Sequence, residues 1–387
     1  MNISLITSGH EPFDDRIFYH MARSLSDHNY NVEIVSSRCY LSDVIDGIKL
    51  NCFAGDNLSK RDKLKHFAEK LSSFKPDHII CSEPLTIEAA KNYSKTQNKK
   101  IRIIYDITEW YPSKKNLINN KPPLRWLIFL KLILFNFWET RFADSFIFGE
   151  WFKSRPYRFL FPRKPFIFAL YYPDLRYISH CGPELQRGKL RLSYSGKISL
   201  EKGYENFFMI LNKLAGIKKD LKIEINIIGW YENLQDKLEC EKFMSSDNPN
   251  ISIKIFEKQD FMNFIKIIGK TDIFLDLRSD DFENQHCLPI KLFYYAAAGR
   301  PVIITDLKAI RKEVEIEKFG YLVKPDDYNS IIKIISEYLN DENLYYQHCT
   351  NARSLAENIY NWQKIEPQFI KFIAIDENNL SYDSENH

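Results

Sequence analysis

The chain has no C-x-x-C pair, no long hydrophobic run and little net charge. Its seven cysteines (39, 52, 81, 181, 240, 287 and 349) are odd in number and dispersed. That excludes a disulfide frame or a cysteine zinc site and reads as reduced thiols in a cytosol. The longest apolar run, Leu127 to Phe135, is interrupted by Lys131. A bilayer span needs roughly 20 residues, so no transmembrane helix is expected. The opening MNISLITSGH lacks a basic stretch and a cleavage box, so it reads as a strand and not a signal peptide. A net charge of +3 is too small to imply nucleic acid by itself. No internal repeat is visible.

What is present fits two domains. The chain has 387 residues, 44% of them hydrophobic, which is ample for real cores. Strand-like and helix-like segments alternate through the first half, from Asn2–Thr7 to Ser145–Phe148. Residues 171–190 break the periodicity and read as a linker. A second alternating unit starts near Leu190, and a last helix is expected over 354–373, followed by an acidic tail. Alternation of this sort predicts an α/β fold with parallel sheets. Two such sheets facing one another would leave a cleft at the carboxyl ends of their strands, where ligands bind.

In KLFYYAAAGRPVI (291–303) an apolar helix face ends at Gly299, which suits a left-handed cap, and Pro301 cannot continue the helix. Pro289 suits the first turn of that helix. Lys291 can meet an anion, and Tyr294 can stack on or hydrogen-bond to a nucleoside; an ordinary packing helix is the competing reading. SGKISLEKG (195–203) lies between a strand and a helix. Gly196 allows close approach of the backbone to a ligand, and Lys197 and Lys202 set two ammonium groups beside a helix N-terminus. That suits a diphosphate; a solvated loop with two surface lysines is the alternative. In SGHEPFDDRIF (8–18), His10, Asp14, Asp15 and Arg16 cluster at a strand–helix turn. They suit a sugar or an acceptor, or simply a helix cap with Arg16 in a surface pair. In YDITEWYP (105–112), Asp106 and Glu109 end a strand, where carboxylates orient hydroxyls, act as a base or only cap. Glu83 ends the preceding strand in the same way.

These pieces, in this order, resemble the family-4 retaining glycosyltransferases of the GT-B fold, over most of the chain. The resemblance implies two Rossmann-like domains facing across a cleft. It implies metal-independent transfer of a sugar from a nucleotide sugar, with retention and with no cofactor beyond that donor. Lys197 and Lys202 would hold the donor diphosphate beside Gly196, and the helix after Pro289, with His286, Lys291 and Tyr294, would face the nucleotide and sugar. His10 and Arg16, with Glu83, would lie on the acceptor side, and Asp14, Asp106 and Glu109 are the catalytic candidates. The domains expected are 1–175, 190–353 and a helix, 354–373, returning to the first. Three positions depart from the family. His286 and Tyr294 stand where two glutamates eight residues apart are usual, and Thr108 stands where YDxHE has histidine.

From 112 to 168 the basic residues are Lys114, Lys115, Lys121, Arg125, Lys131, Arg141, Lys153, Arg155, Arg158, Arg163 and Lys164, against only Glu139, Asp144 and Glu150. Aromatics interleave densely. This suits an anionic membrane surface; a core helix with a charged outer face is the alternative, and no RNA-binding motif accompanies the segment. The expectation is a cytoplasmic transferase at the inner face of a membrane, extending a lipid-linked glycan in bacterial polysaccharide assembly. A non-catalytic subunit that partners an active transferase is the rival.

Overall fold

The computed structural model describes residues 1–109, 111–112, 122–180, 182–199, 202–231, 233–244 and 248–375. Lys114, Lys115, Lys121 and the acidic tail lie outside them. Two compact units divide the chain: Met1–Tyr171 with Ile365–His387, and Tyr172–Lys364.

The first unit is built on eight strands: β1 (Asn2–Thr7), β2 (Asn31–Ser36), β3 (Leu41–Ile45), β4 (Ile48–Cys52), β5 (His78–Cys81), β6 (Arg102–Ile107), β7 (Ser145–Phe148) and β8 (Phe166–Phe168). Their order is β3-β4-β2-β1-β5-β6-β7-β8. Every pairing is parallel except the β3–β4 hairpin. The strands are near-continuous apolar runs because both faces are covered. Ile6, Val35, Ile79, Ile103 and Phe146 share one core with helix residues such as Phe67, Leu71 and Ile87. The helices are α1 (π-helical over Asp15–Ala22, then Arg23–Asp27), α2 (Lys60–Phe74), α3 (Pro84–Ser94), α4 (Pro122–Thr140) and α5 (Trp151–Leu160).

The second unit has six parallel strands: β9 (Lys189–Ile198), β10 (Lys222–Tyr231), β11 (Ile251–Phe256), β12 (Ile273–Asp276), β13 (Val302–Thr305) and β14 (Gly320–Val323). They run in the order β11-β10-β9-β12-β13-β14. Its helices are α6 (Tyr204–Ile217), α7 (Leu234–Met244), α8 (Phe261–Ile268), α9 (Phe282–Gln285), α10 (Lys291–Ala297), α11 (Lys308–Glu313), α12 (Tyr328–Asn340) and α13 (Glu342–Asn358). Gly299 takes the left-handed conformation (φ 68°) and ends the α10 turn, as the sequence suggests.

The helix expected over 354–373 is two helices. The first, α13, stops at Asn358, and α14 (Trp362–Ala374) starts anew. The Arg102 guanidinium of β6 donates to Phe372 O (2.8 Å) and lies 4.7 Å from the Phe372 ring, fixing the end of α14 to the first sheet.

In each sheet the connections reverse direction once. The reversal falls between β1 and β5 in the first unit and between β9 and β12 in the second. Crevices outside the strand ends at such points are the usual ligand sites of open α/β sheets. The residues that follow these four strands therefore lie on the ligand side of each sheet.

Candidate functional site

In the second unit β9 ends at Ser195-Gly196-Lys197-Ile198, paired with Ile228 to Tyr231 of β10. Gly196 has φ 111°, and a Cβ there would lie 2.0 Å from Lys291 Nζ. Only glycine leaves room for that ammonium, which donates to Ser195 O (2.5 Å). The Tyr295 hydroxyl and Ser195 Oγ are 2.6 Å apart, and the Tyr295 ring stacks on Phe274 at 3.8 Å. Two successive turns of one side of α10 and its neighbour strand thus hold the β9 end in place. The loop beyond is folded by Tyr194, whose hydroxyl donates to Lys197 O (2.9 Å) and Lys202 O (3.1 Å). Helix α6 begins two residues after Lys202, so the N–H groups of its first turn add positive potential.

Across the switch point, β12 ends at Asp276, and Arg278 follows. The Arg278 guanidinium grips the Asp276 carboxylate through Nε (2.8 Å) and Nη2 (2.5 Å). Burial works to raise the Asp276 carboxyl, but the charges of Arg278, Lys291 and Lys202 outweigh it and hold it below the usual range. Burial pushes the Lys291 ammonium down to about 8; Asp276 opposes this, while Arg278 and Lys202 add to it. Lys202 Nζ donates to Asn284 Oδ1 (3.2 Å), and buried Asn284 is itself fixed by donating to Ser279 O (2.9 Å). Three cations thus stand around one carboxylate. That surplus can hold an anion.

The structure brings together Gly196, Lys202 and Lys291 of the expected donor set, and ties the Lys197 carbonyl to the same loop through Tyr194. His286 and Tyr294 behave differently. The His286 ring donates from Nδ1 to Phe282 O (2.8 Å), within its own turn. Tyr294 is only 2% exposed, and its ring meets Phe261 and Phe264 of α8 edge-on at 5.9 and 6.1 Å. The expectation that this ring stacks on a nucleoside is corrected: its faces are spent on aromatic packing. Asp276, Arg278, Asn284 and Tyr295 were not singled out from sequence. The signal was there for Asp276 and Arg278, since polar residues at the end of an apolar strand in a parallel sheet mark the ligand side.

In the first unit the strand-end residues are largely consumed by one another. The Glu83 carboxylate accepts from Thr7 Oγ1 (2.7 Å), Ser8 N (2.8 Å) and Gly9 N (3.0 Å), tying the loop after β1 to the end of β5. Asp14 caps α1, accepting from Arg16 N (3.1 Å) and Ile17 N (3.3 Å). Its other oxygen meets His10 Nδ1 at 3.0 Å. Burial disfavours the His10 charge, yet Asp14, Glu83 and Glu109 override it and raise the ring to about 10. His10 is therefore an imidazolium at neutral pH, beside a carboxyl held below its usual range despite burial.

Arg16 and Asp106 require a correction. Arg16 is 1% exposed and makes a bidentate pair with Asp106 (2.7 and 2.6 Å) while donating to Ala169 O (2.7 Å). It is neither a surface residue nor an acceptor ligand, and Asp106, equally buried, has no oxygen left to act as a base. The pair ties α1 to the ends of β6 and β8. Of the catalytic candidates, only Glu109 is exposed. Thr108 is buried, and its carbonyl accepts from Lys153 Nζ (2.5 Å).

Residues 183–357 match the family of group 1 glycosyl transferases. The match lies within the second unit. A curated relative, the uncharacterized glycosyltransferase MJ1069 of Methanocaldococcus jannaschii, is 24% identical over 188 residues, which is 48% of this chain and 45% of that protein. The matched stretch thus spans less than half of the relative's length. Among solved structures, sucrose-phosphate synthase from Thermosynechococcus elongatus is similar with a TM-score of 0.70 at 14% identity, over 96% of this chain and 98% of that one. HepE from Anabaena, in complex with UDP and glucose, is similar with a TM-score of 0.69 at 11% identity, over 96% and 99%. The fold is GT-B, with two Rossmann-like units.

Proposed function

We propose that the protein is a glycosyltransferase that takes a sugar from a nucleotide-sugar donor, with retention at the anomeric carbon and without a metal or further cofactor. The observation that carries this is the group of Lys202, Lys291 and Arg278 around Asp276, with Gly196 leaving room for the Lys291 ammonium, in a group 1 glycosyl transferase domain. A nucleoside diphosphate is the leaving group of such a reaction, and its charge grows as the glycosidic bond breaks. Fixed cations then stabilise the transition state more than the ground state. The glucose and UDP held by HepE, which has this fold, support a donor of that class. Lys197 and Lys202 bear on the diphosphate directly. Lys291 shapes the loop by holding Ser195 O. The acceptor side belongs to the first unit, where imidazolium His10 and exposed Glu109 are the groups available for acceptor hydroxyls. The acceptor we propose is a lipid-linked glycan of bacterial surface-polysaccharide assembly, met at the cytoplasmic face of a membrane.

The test is calorimetry of a nucleoside diphosphate on the wild type and on Lys202→Ala. The variant should lose about 1.5–3 kcal/mol of binding. Unchanged affinity removes the diphosphate assignment. A second reading, a non-catalytic subunit that partners an active transferase, is favoured by Tyr294, whose ring packs inward where the family resemblance places a donor-contacting glutamate. A thermal-shift series with nucleotide sugars separates the two, because a subunit of this kind gives no response to any of them.

A further inference from the structure

Helix α4 is apolar on its outward side as well as its inward one. Trp126, Leu127, Leu130, Leu134 and Trp138 are all exposed, Trp126 by 73%. Their spacing of three and four puts them on one face. The side turned into the unit packs Phe137 on the core and also carries polar groups: buried Asn136 donates to the Tyr157 hydroxyl (2.9 Å), and buried Glu139 pairs with Lys91 (2.9 Å). A helix that faced only water would not place two indoles and three leucines outward and an amide and a carboxylate inward.

The exposed charges of residues 122–168 have one sign. Arg125, Lys131, Arg141, Arg155 and Arg163 are exposed. The acids of 122–168 are turned inward: Glu139 to Lys91, Glu150 to Lys153 (2.6 Å), and Asp144 to Ile103 N (2.7 Å). The Arg141 guanidinium lies over the Trp138 ring at 3.3 Å, so one end of the apolar stripe is crowned by a cation. Phe159 on neighbouring α5 is also strongly exposed. No helix among the described residues is long and apolar enough to cross a membrane.

We infer that the outward face of α4 lies on an anionic bilayer, with its leucines in the headgroup–acyl boundary, its indoles at the interface and its flanking cations on lipid phosphates. A second copy of the same face is a poor occupant, because it would set these cations against their own kind. The biological purpose rests on the lipid-linked acceptor proposed above, but the binding itself does not depend on donor chemistry.

The test is co-sedimentation of the full chain with vesicles of phosphatidylglycerol and phosphatidylethanolamine, against vesicles of phosphatidylcholine alone. The wild type should sediment with the anionic vesicles and be released by high salt. The double variant Leu130→Glu/Leu134→Glu should bind at least about tenfold more weakly, since carboxylates then meet the anionic boundary. Both substitutions are on exposed positions, and an unchanged denaturation midpoint shows that the fold is kept. The inference is overturned if the wild type ignores anionic vesicles, if it binds phosphatidylcholine equally well, or if the double variant binds undiminished. It is also overturned if sedimentation velocity finds a wild-type dimer that the double variant dissolves. Calorimetry with a nucleoside diphosphate on the same samples keeps the two readings apart: vesicle binding without nucleotide binding sinks the donor assignment and leaves this one standing.

Discussion

The two sheets end in similar places and treat charge in opposite ways. At the β1/β5 switch point the ionic groups cancel locally: Arg16 with Asp106, His10 with Asp14, and Glu83 with backbone N–H groups. At the β9/β12 switch point three cations surround one carboxylate. The first arrangement uses charge to fix a loop and a helix; the second gathers several cations on one acid. The same fold thus yields a braced end and a cation-rich end, according to how the charges are grouped.

Breaking the brace should have the largest effect. Asp106→Asn leaves a buried guanidinium half-paired, and urea denaturation should show a loss of about 3–5 kcal/mol. A change below 1 kcal/mol would mean that water reaches the pair. Next come substitutions at the cation-rich end, which should spare the fold more than binding. Gly196→Ala puts a methyl where Lys291 Nζ lies and forces a left-handed residue, costing about 1–2 kcal/mol of stability and loosening the nucleoside diphosphate further. Calorimetry and denaturation on one sample would separate these losses.

Two pH effects sharpen the contrast. Lys291 is depressed to about 8, so it is charged below that pH and neutral above it. Affinity for a nucleoside diphosphate should fall as pH rises past 8, with the midpoint moved upward by the bound anion, and Lys291→Met should bind weakly at every pH. The His10 shift has the opposite sign. Its folded-state value of about 10 lies above its ordinary 6.5, so its stabilisation is complete below 6.5 and is lost as pH rises to 10. Stability across that window should fall by at most ~1.4 kcal/mol per pH unit, and His10→Gln should abolish the slope. An unchanged slope in the variant would assign the proton to another group.

Much of this was legible in the chain. Apolar strands alternating with amphipathic helices gave the α/β class and nearly every strand of the second unit. The β3–β4 hairpin escaped, although Asp46-Gly47 is a strong two-residue turn signal. Arg16 and Asp106 were read as surface and cleft residues because adjacent charges at a strand end look alike whether they face water or each other. Tyr294 was misread for a related reason: its partners Phe261 and Phe264 are some 30 residues away in sequence, on α8.

By itself the sequence determined which segments are strands and helices, where glycine is needed and where lysines cluster after β9, because those depend on local periodicity and on single-residue sterics. Only the tertiary structure decided which charges cancel and which stay available, which way Tyr294 turns, and that α4 shows its leucines and tryptophans outward. Those outcomes depend on partners brought together from distant parts of the chain, and on how much water each group keeps.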